Sequence, residues 1–315
     1  MKLSIVIPCY NEAENIRDFH EEIEKIIKDL KIETELIFVN DGSKDQTLLM
    51  LKELSNENSS VSYVSFSRNF GKEAAMLAGL EYATGDAIVI MDADLQHPPH
   101  LIPSLVEKYD DGYDQVVAKR TRRGETKSRT LVSKLYYKLM NHFIEVDLVD
   151  GVGDFRLLSR KALNALLSLK EYNRFSKGLF SWIGFKEYVI EYENVVREAG
   201  QSKWTFSKLL NYGIDGILSF NNKPLRISIY IGMGITILST IYILVMLFQT
   251  IFYGINVPGY FTTISAVLVL GGIQLVFLGV IGEYIGRIYY EAKNRPIYIV
   301  DEENIHQRNE ISKKY

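Results

Sequence analysis

Two aspartates separated by one small residue follow an apolar run near the middle of the first half of the chain. The run 88–91 leads directly into Asp92, Ala93 and Asp94. An apolar run that ends in acids is typical of a parallel strand whose carboxyl end lies at the ligand-binding edge of an open α/β sheet. Because neighbouring carboxylates repel each other, we expect a cation between them. Mg²⁺ or Mn²⁺ prefers such oxygen ligands and usually brings phosphates with it.

Asp-x-Asp is also a common pattern with a simpler interpretation, in which the carboxylates cap the next helix or face solvent. Two other predicted strands also end in polar residues. The three polar groups are Asn11 with Glu12, Asn40 with Asp41, and Asp92 with Asp94. Since parallel strands share the edge at their carboxyl ends, these groups should converge. Asp41 there can accept hydrogen bonds from a nucleobase or a ribose hydroxyl.

Strands and helices alternate over residues 1–120, which predicts an α/β fold with a mainly parallel sheet and helices on both faces. The predicted strands are 3–7, 36–40, 61–66, 87–91 and 116–118, and the helices are 16–30, 48–54 and 72–83. Ser43 and Gln46 predict a capping box before the second helix. Residues 121–200 are less regular, with a helix predicted at 131–144 and a strand at 188–196.

Composition and missing motifs argue against nucleic-acid binding, disulfide stabilisation and a glycine-rich phosphate loop. The 315 residues carry a formal net charge of −3, which argues against broad nucleic-acid binding. The single cysteine, Cys9, cannot form an intrachain disulfide. Neither Gly-x-Gly-x-x-Gly after the first strand nor a Walker loop is present, so phosphate neutralisation is expected to depend on a metal.

The stretch 227–282 contains no Asp, Glu, Lys or Arg. It is long enough for two membrane-spanning helices, at about 227–253 and 261–285, joined by a turn. The alternative is a buried hairpin in a soluble core, although such a helix normally shows a polar face. Basic residues flank both spans but not the turn, which predicts a cell-membrane protein with both termini and the α/β domain in the cytoplasm.

Four regions follow from these patterns: an α/β domain at 1–200, a juxtamembrane segment at 201–226, the membrane hairpin at 227–285 and a cytosolic tail at 286–315. The segment 201–226 reads as an amphipathic helix on the membrane surface or, alternatively, as a soluble core helix. We expect the polar residues after Tyr298 to be poorly ordered.

A cluster of basic residues after the predicted sheet offers partners for a lipid phosphate, although a solvated loop has the same composition. The cluster consists of Lys119, Arg120, Arg122, Arg123, Lys127, Arg129 and Lys134. Ser133 lies one helical turn after Arg129, so both can face one anion.

The motifs together resemble those of family 2 glycosyltransferases with the GT-A fold. With the paired C-terminal spans, the chain resembles the polyprenyl-phosphate glycosyltransferases, including bactoprenol glucosyltransferases and, more distantly, dolichol-phosphate mannosyltransferases. The segments that carry the resemblance are Ile7–Glu12, Val39–Ser43, Arg68–Lys72, Asp92–His97 and Gly153–Arg160.

The resemblance implies a role for individual residues. Nucleotide-sugar binding is implied for Pro8, Tyr10, Glu12, Asp41, Lys72, Asp92 and Ala93. Metal binding is implied for Asp92, Asp94 and Gln96, and a catalytic role for Asp154 and Asp94. Acceptor-phosphate binding is implied for Arg120, Arg129, Ser133 and Lys203. Lys203 stands where related synthases have an arginine, which weakens bidentate phosphate contact.

The function implied is inverting transfer of a hexose, glucose or N-acetylglucosamine, from a UDP-sugar to undecaprenyl phosphate, with Mg²⁺ or Mn²⁺ as cofactor and a cell-envelope glycan as destination. Alternatives are a GDP-mannose-dependent mannosyltransferase, a catalytically inactive scaffold that binds sugar nucleotide, and a processive polysaccharide synthase, which needs more spans. Relatives form tetramers, so a homo-oligomer is expected.

Overall fold

The computed structural model describes residues 1–121, 141, 149–193, 223–253 and 259–305. The strands are β1 (Lys2–Cys9), β2 (Glu33–Asn40), β3 (Val61–Phe66), β4 (Ala87–Ile90), β5 (Gln115–Arg120), β6 (Val152–Ser159), β7 (Glu187–Tyr192) and β8 (Val300–Glu303). The helices are α1 (Ile16–Leu30), α2 (Thr47–Glu57), α3 (Lys72–Tyr82), a 3₁₀ turn (Pro99–Leu101), α4 (Ile102–Asp110), α5 (Arg160–Ser168), α6 (Ser176–Trp182), α7 (Lys223–Tyr253) and α8 (Tyr260–Lys293). Two compact units result: Met1–Gly216 with Pro296–Tyr315, and Ile217–Arg295.

The described strands form one eight-stranded sheet in the order β7-β5-β6-β4-β1-β2-β3-β8. Strands β4, β1, β2 and β3 are parallel to their neighbours within this group, and β5 is parallel to β7. Strand β6 is antiparallel to both β4 and β5, and β8 is antiparallel to β3. The predicted α/β fold with a mainly parallel sheet is confirmed.

Alternation of side chains along β1 buries both faces of the sheet. Ile5 and Ile7 belong to the same buried cluster as Phe19 of α1. On the opposite face Val6 meets α3, where a Cβ added to Gly79 would lie 2.2 Å from Val6 Cγ1. Helix α3 therefore lies close to the sheet, and this proximity places its first residues beside the strand ends.

Strand β6 was not predicted, and it brings the second half of the catalytic domain to the ligand-binding edge. Its antiparallel register pairs Ile90 of β4 with Arg156. Asp92 follows Ile90 by two residues and Asp154 precedes Arg156 by two, so the antiparallel register carries the two aspartates to the same place. Gly153, with charged residues on either side of Phe155, obscured the strand pattern in the sequence.

The prediction that the segment after Tyr298 is poorly ordered is wrong for residues 299–305, and residues 306–315 lie outside the described residues. Val300–Glu303 forms β8, which extends the sheet beside β3. Tyr298 is 7% exposed, and its ring stacks on Phe66 with centroids 4.8 Å apart. Asn304 accepts a hydrogen bond from the Tyr63 N–H at 2.6 Å. A strand pair with a buried aromatic stack holds this segment on the catalytic domain.

The second unit contains α7 and α8, whose apolar stretches Tyr230–Gln249 and Val269–Lys293 are long and apolar enough to cross a membrane. Helix α7 begins at Lys223, within the segment predicted to be juxtamembrane, and α8 continues eight residues past the predicted end at 285. The helix predicted at 131–144 and residues 201–222 of the amphipathic segment lie outside the described residues, apart from the helical residue Asn141.

Candidate active site

The loops after β1 and β2 are tied together by hydrogen bonds. Asn11, in the left-handed region at φ 53°, donates its N–H to Ser43 Oγ at 2.9 Å, and Lys44 N–H donates to Asn11 Oδ1 at 2.9 Å. The predicted capping box is wrong, because Ser43 Oγ accepts its hydrogen bond from Asn11 and not from α2. Helix α2 begins at Thr47, whose N–H donates to Asp45 Oδ1 at 3.0 Å. These contacts bring two polar strand ends together, as predicted.

Asp41 links the loop after β2 to the loop 68–71 that precedes α3. Its carboxylate is buried and accepts hydrogen bonds from Phe70 N–H at 2.6 Å and Gly71 N–H at 3.0 Å. Burial raises the pKa of Asp41, against the opposing effect of these hydrogen bonds. Gly42 has φ 59°, and an added Cβ would lie 2.2 Å from a backbone carbon of the loop. The Asn-Asp-Gly-Ser motif therefore fixes this loop; a contact of Asp41 with a nucleotide stays a prediction.

Lys72, the first residue of α3, joins Asp92, a predicted metal ligand, to Asp154, a predicted catalytic aspartate. Its ammonium lies 2.7 Å from an oxygen of Asp92 and 2.7 Å from Asp154 Oδ2. Burial alone lowers the pKa of Lys72, but the charges of Asp154 and Asp92 outweigh it and the net shift is upward. Burial alone raises the pKa of Asp154, but Lys72 and Lys177 outweigh it and leave the pKa well below the usual range. Asp154 is therefore a paired anion with little tendency to take up a proton.

His97 holds the Asp-x-Asp loop. Its Nδ1 accepts a hydrogen bond from Asp92 N–H at 3.0 Å, so the proton of the neutral ring is on Nε2. Burial lowers the pKa of His97, against the charge of Asp92, and favours this neutral form. The ring stacks on Phe155 of β6 with centroids 5.1 Å apart. Asp94 is further along the loop, where its Oδ1 accepts a hydrogen bond from Gln96 N–H at 3.2 Å.

Several residues near the site were missed by sequence reasoning. Glu73 accepts hydrogen bonds from Ser176 N–H at 3.2 Å and from Ser176 Oγ–H. The buried guanidinium of Arg156 lies 3.7 Å from the centre of the Phe180 ring. No local pattern signals these contacts, because each joins segments distant in sequence. Only Lys177, next to Ser176 in a basic and aromatic segment, offered a compositional hint.

Tyr192, also missed, connects Arg120 electrostatically to the Asp-x-Asp loop. Burial raises the pKa of its hydroxyl, the charge of Arg120 lowers it, and the charges of Asp92 and Asp94 raise it again. Arg120 ends β5, two strands from β4 in the sheet. The predicted acceptor-binding arginine therefore lies within electrostatic range of the same hydroxyl as the predicted metal ligands.

The remaining predicted residues differ in how far the structure places them. Pro8 belongs to β1, Tyr10 is 37% exposed just beyond it, and Glu12 accepts a hydrogen bond from Asn15 Nδ2 at 2.6 Å. Ala93 is buried between the two acids of the loop. Arg129, Ser133 and Lys203 lie outside the described residues. Roles of all these residues towards a substrate stay predictions.

The described residues contain no group of three or more His, Cys, Asp or Glu side chains arranged to enclose a metal ion. Asp92 and Asp94 nevertheless provide two carboxylates on one loop at the sheet edge. Mg²⁺ is commonly held by one or two carboxylates, with substrate phosphates and water completing its coordination. The donor set fits a divalent cation of that kind, provided that a diphosphate supplies further oxygens.

Comparison with known proteins supports the family suggested by the motifs. The family model described as Glycosyl transferase family 2 matches residues 4–167, and the GtrB C-terminal hairpin model matches residues 223–288. A putative glycosyltransferase of Bacillus subtilis, CsbB, is 57% identical over 96% of this chain and 92% of its own. The bactoprenol glucosyl transferase of Shigella phage SfV is 43% identical over 96% and 99%.

A more distant likeness is to the crystal structure of glucosyl-3-phosphoglycerate synthase from Mycobacterium tuberculosis in complex with Mn²⁺, UDP-glucose and phosphoglyceric acid. The TM-score is 0.45 and the identity 21%, with 69% of this chain and 77% of that chain covered, a likeness that carries no functional inference. The matches over nearly the whole chain decide the assignment. The protein belongs to glycosyl transferase family 2, and it carries the C-terminal hairpin of the GtrB group.

Proposed function

We propose that the protein transfers glucose from UDP-glucose to a polyprenyl phosphate at the membrane. The observation that carries the proposal is the Asp92–Lys72–Asp154 arrangement, which lies at the ligand-binding edge of the sheet in a chain that also has two apolar helices. The bactoprenol glucosyl transferases at 43% identity over 95% or more of the chain favour glucose and a polyprenyl acceptor. The product assay described below would also detect transfer of N-acetylglucosamine or of mannose.

The donor is proposed to bind across the loops after β1, β2 and β4. Tyr10, Glu12 and Asp41 are expected to face the nucleotide. Asp92 and Asp94, with Gln96 beside them, would hold Mg²⁺ or Mn²⁺, which supplies positive charge to the diphosphate as it leaves. Lys72 adds a positive charge from the protein itself, already positioned between two carboxylates.

The acceptor phosphate is proposed to attack the anomeric carbon from the face opposite the leaving group, which inverts the configuration. A phosphomonoester has its second pKa near 6, so its oxygen is already anionic at neutral pH. No general base is then required, which agrees with the low pKa of Asp154. Asp154 instead orients Lys72, while Arg120 and the predicted partners Arg129, Ser133 and Lys203 receive the acceptor.

The cellular arrangement belongs to the same proposal. Basic residues flank the two apolar helices, so we place the catalytic domain and both termini in the cytoplasm of a membrane-bound protein. A homo-oligomer, a tetramer by family resemblance, is proposed as its assembly. Cysteine labelling from either side of sealed vesicles tests the first statement, and native mass spectrometry of the purified protein tests the second.

The decisive experiment incubates the purified full chain with undecaprenyl phosphate, Mg²⁺ or Mn²⁺, and UDP-glucose, UDP-N-acetylglucosamine or GDP-mannose in separate reactions. Mass spectrometry of the lipid identifies the product, and an Asp94→Asn variant and a chelator arm provide controls. We expect glucosyl-lipid from UDP-glucose only, lost in both control arms. A lipid carrying another hexose, a long glycan, or release of UDP without a lipid product would overturn the proposal.

A further inference from the structure

Helix α6 carries a lysine towards the catalytic centre that no motif assigns. Lys177 and Phe180 are three residues apart on this helix, so they share a face. The Phe180 ring packs against the guanidinium of Arg156 at 3.7 Å. Arg156 lies on β6 two residues after Asp154. The face of α6 that bears Lys177 is therefore the one that packs against the catalytic end of β6.

The Lys177 ammonium has no carboxylate partner within the part of the chain that the structure describes. The carboxylate whose charge acts most strongly on Lys177 is that of Asp154, which is itself paired with Lys72 at 2.7 Å. Burial lowers the pKa of Lys177, Asp154 opposes this, and the charges of Lys72 and Arg156 lower it further. A partly desolvated cation without an ion pair is unfavourable, and an anionic ligand would offset that penalty.

A hydrogen-bonded contact between two helix starts fixes the position of this lysine. Glu73 follows Lys72 at the start of α3, and Ser176 precedes Lys177 at the start of α6. Ser176 donates both its N–H, at 3.2 Å, and its hydroxyl to the Glu73 carboxyl group. One contact therefore sets the starts of the two helices, and with them Lys72 and Lys177, relative to each other. We call the Glu73–Ser176 contact the helix clamp.

We propose that Lys177 binds a phosphate oxygen of a substrate and that Glu73 is a positioning residue which holds Lys177 in place through the helix clamp. The proposal rests on the glycosyl transfer proposed above, whose two substrates both carry phosphate. The donor brings a diphosphate and the acceptor a monophosphate, and either offers the anionic oxygen that an ammonium group recognises.

The test compares Lys177→Gln and Lys177→Arg in the purified full chain. Lys161→Gln is the matched control, because Lys161 is a lysine on the neighbouring helix α5 with its side chain 71% exposed. Calorimetry measures binding of UDP-glucose and of undecaprenyl phosphate separately. A charge-assisted hydrogen bond is worth about 1.5–3 kcal/mol, so Lys177→Gln should weaken binding of one substrate by about tenfold or more. Lys177→Arg should restore most of it, and Lys161→Gln should change neither.

The substrate whose binding weakens identifies the source of the phosphate. Unchanged binding of both substrates in Lys177→Gln overturns the role of Lys177, whether or not glucose transfer itself is observed. Since binding is measured without turnover, the proposed reaction can fail while this result stands.

Glu73→Ala and Ser176→Ala test the positioning role, because each removes a side-chain partner of the helix clamp. Both variants should weaken binding of the same substrate as Lys177→Gln, by a smaller factor of about threefold, without affecting the other substrate. Thermal unfolding checks that both variants fold. A lower unfolding temperature with unchanged binding of both substrates would show that the helix clamp is only structural, and it would refute the positioning role.

Discussion

Replacing Glu73 by glutamine should remove a large part of the pH dependence of stability between pH 4.5 and about 7. The pKa of Glu73 is raised from 4.5 to about 7, first by burial, which the hydrogen bonds from Ser176 oppose and the charge of Asp154 reinforces. Arg174 opposes the shift, and the charge of Glu73 acts in turn on Lys177 of α6. Glutamine keeps an oxygen that accepts from Ser176 but cannot ionise.

The magnitude follows from the two pKa values. The folded state retains the Glu73 proton between pH 4.5 and about 7, whereas the unfolded chain has lost it. The contribution of Glu73 protonation to the free energy of unfolding is therefore complete below pH 4.5, falls as the pH rises, and is lost above about 7. At ~1.4 kcal/mol per pH unit, the interval corresponds to roughly 3 kcal/mol.

Thermal unfolding of the detergent-solubilised protein at half-unit steps from pH 4.5 to 8.5 measures this effect. Wild type should lose stability across the interval, Glu73→Gln should lose less, and the variant should unfold several degrees above wild type at pH 8. Glu107→Gln is the control, because its side chain is 70% exposed. Profiles of wild type and Glu73→Gln that run parallel across the whole range would refute the reasoning.

Three further predictions concern residues at the ligand-binding edge of the sheet. Asp94→Asn should lower Mn²⁺ affinity, measured by calorimetry with UDP present, more than Asp92→Asn does, because Asp92 is already paired with a lysine; equal losses would contradict this order. Asp154→Asn should retain more glucosyl transfer than Asp94→Asn in the lipid-product assay, because an anionic acceptor needs no base; the reverse ranking would restore a general base. Gly42→Ala should lower the free energy of unfolding by about 1–3 kcal/mol, because Gly42 has φ 59° and an added Cβ would lie 2.2 Å from the Arg68 carbonyl carbon. An unchanged unfolding temperature would contradict this prediction.

The sequence was sufficient for the parallel half of the sheet because its signals are local. Each of β1, β2 and β4 is an apolar run that ends next to polar residues, and the chain order alone places those ends at one edge. The convergence of the three polar groups follows from that topology. The apolar helices α7 and α8 were equally predictable, since uncharged stretches of such length have few alternatives.

Strands β6 and β8 were missed because their partners, rather than their own residues, make them strands. Val152–Ser159 contains a glycine and two charged residues, and three of the four residues of Val300–Glu303 are acidic. Each becomes regular only when the antiparallel register with β4 or β3 is formed. Long-range pairing of this kind leaves no periodic pattern in one sequence.

Contacts between residues far apart in the sequence also explain which features of the site were missed. Lys72 was assigned to the nucleotide sugar by resemblance, but its contact with Asp154 depends on the register of β6. Asp41 was assigned to the nucleotide, whereas its buried carboxylate is also the anchor of a neighbouring loop. The residue types at the site were therefore predictable, and the pairing between them was not.

The order of strands in the sheet has a consequence for biosynthesis. Strand β8 pairs with β3 but is translated after both apolar helices, so the β3 edge has no partner while the ribosome makes most of the chain. At about 5–20 residues per second, that interval lasts roughly ten seconds or more. An unpaired strand edge is a template for aggregation. Synthesis of both apolar helices thus precedes completion of the sheet, and nascent chains that stall before β8 should be the ones that chaperones and proteases recognise.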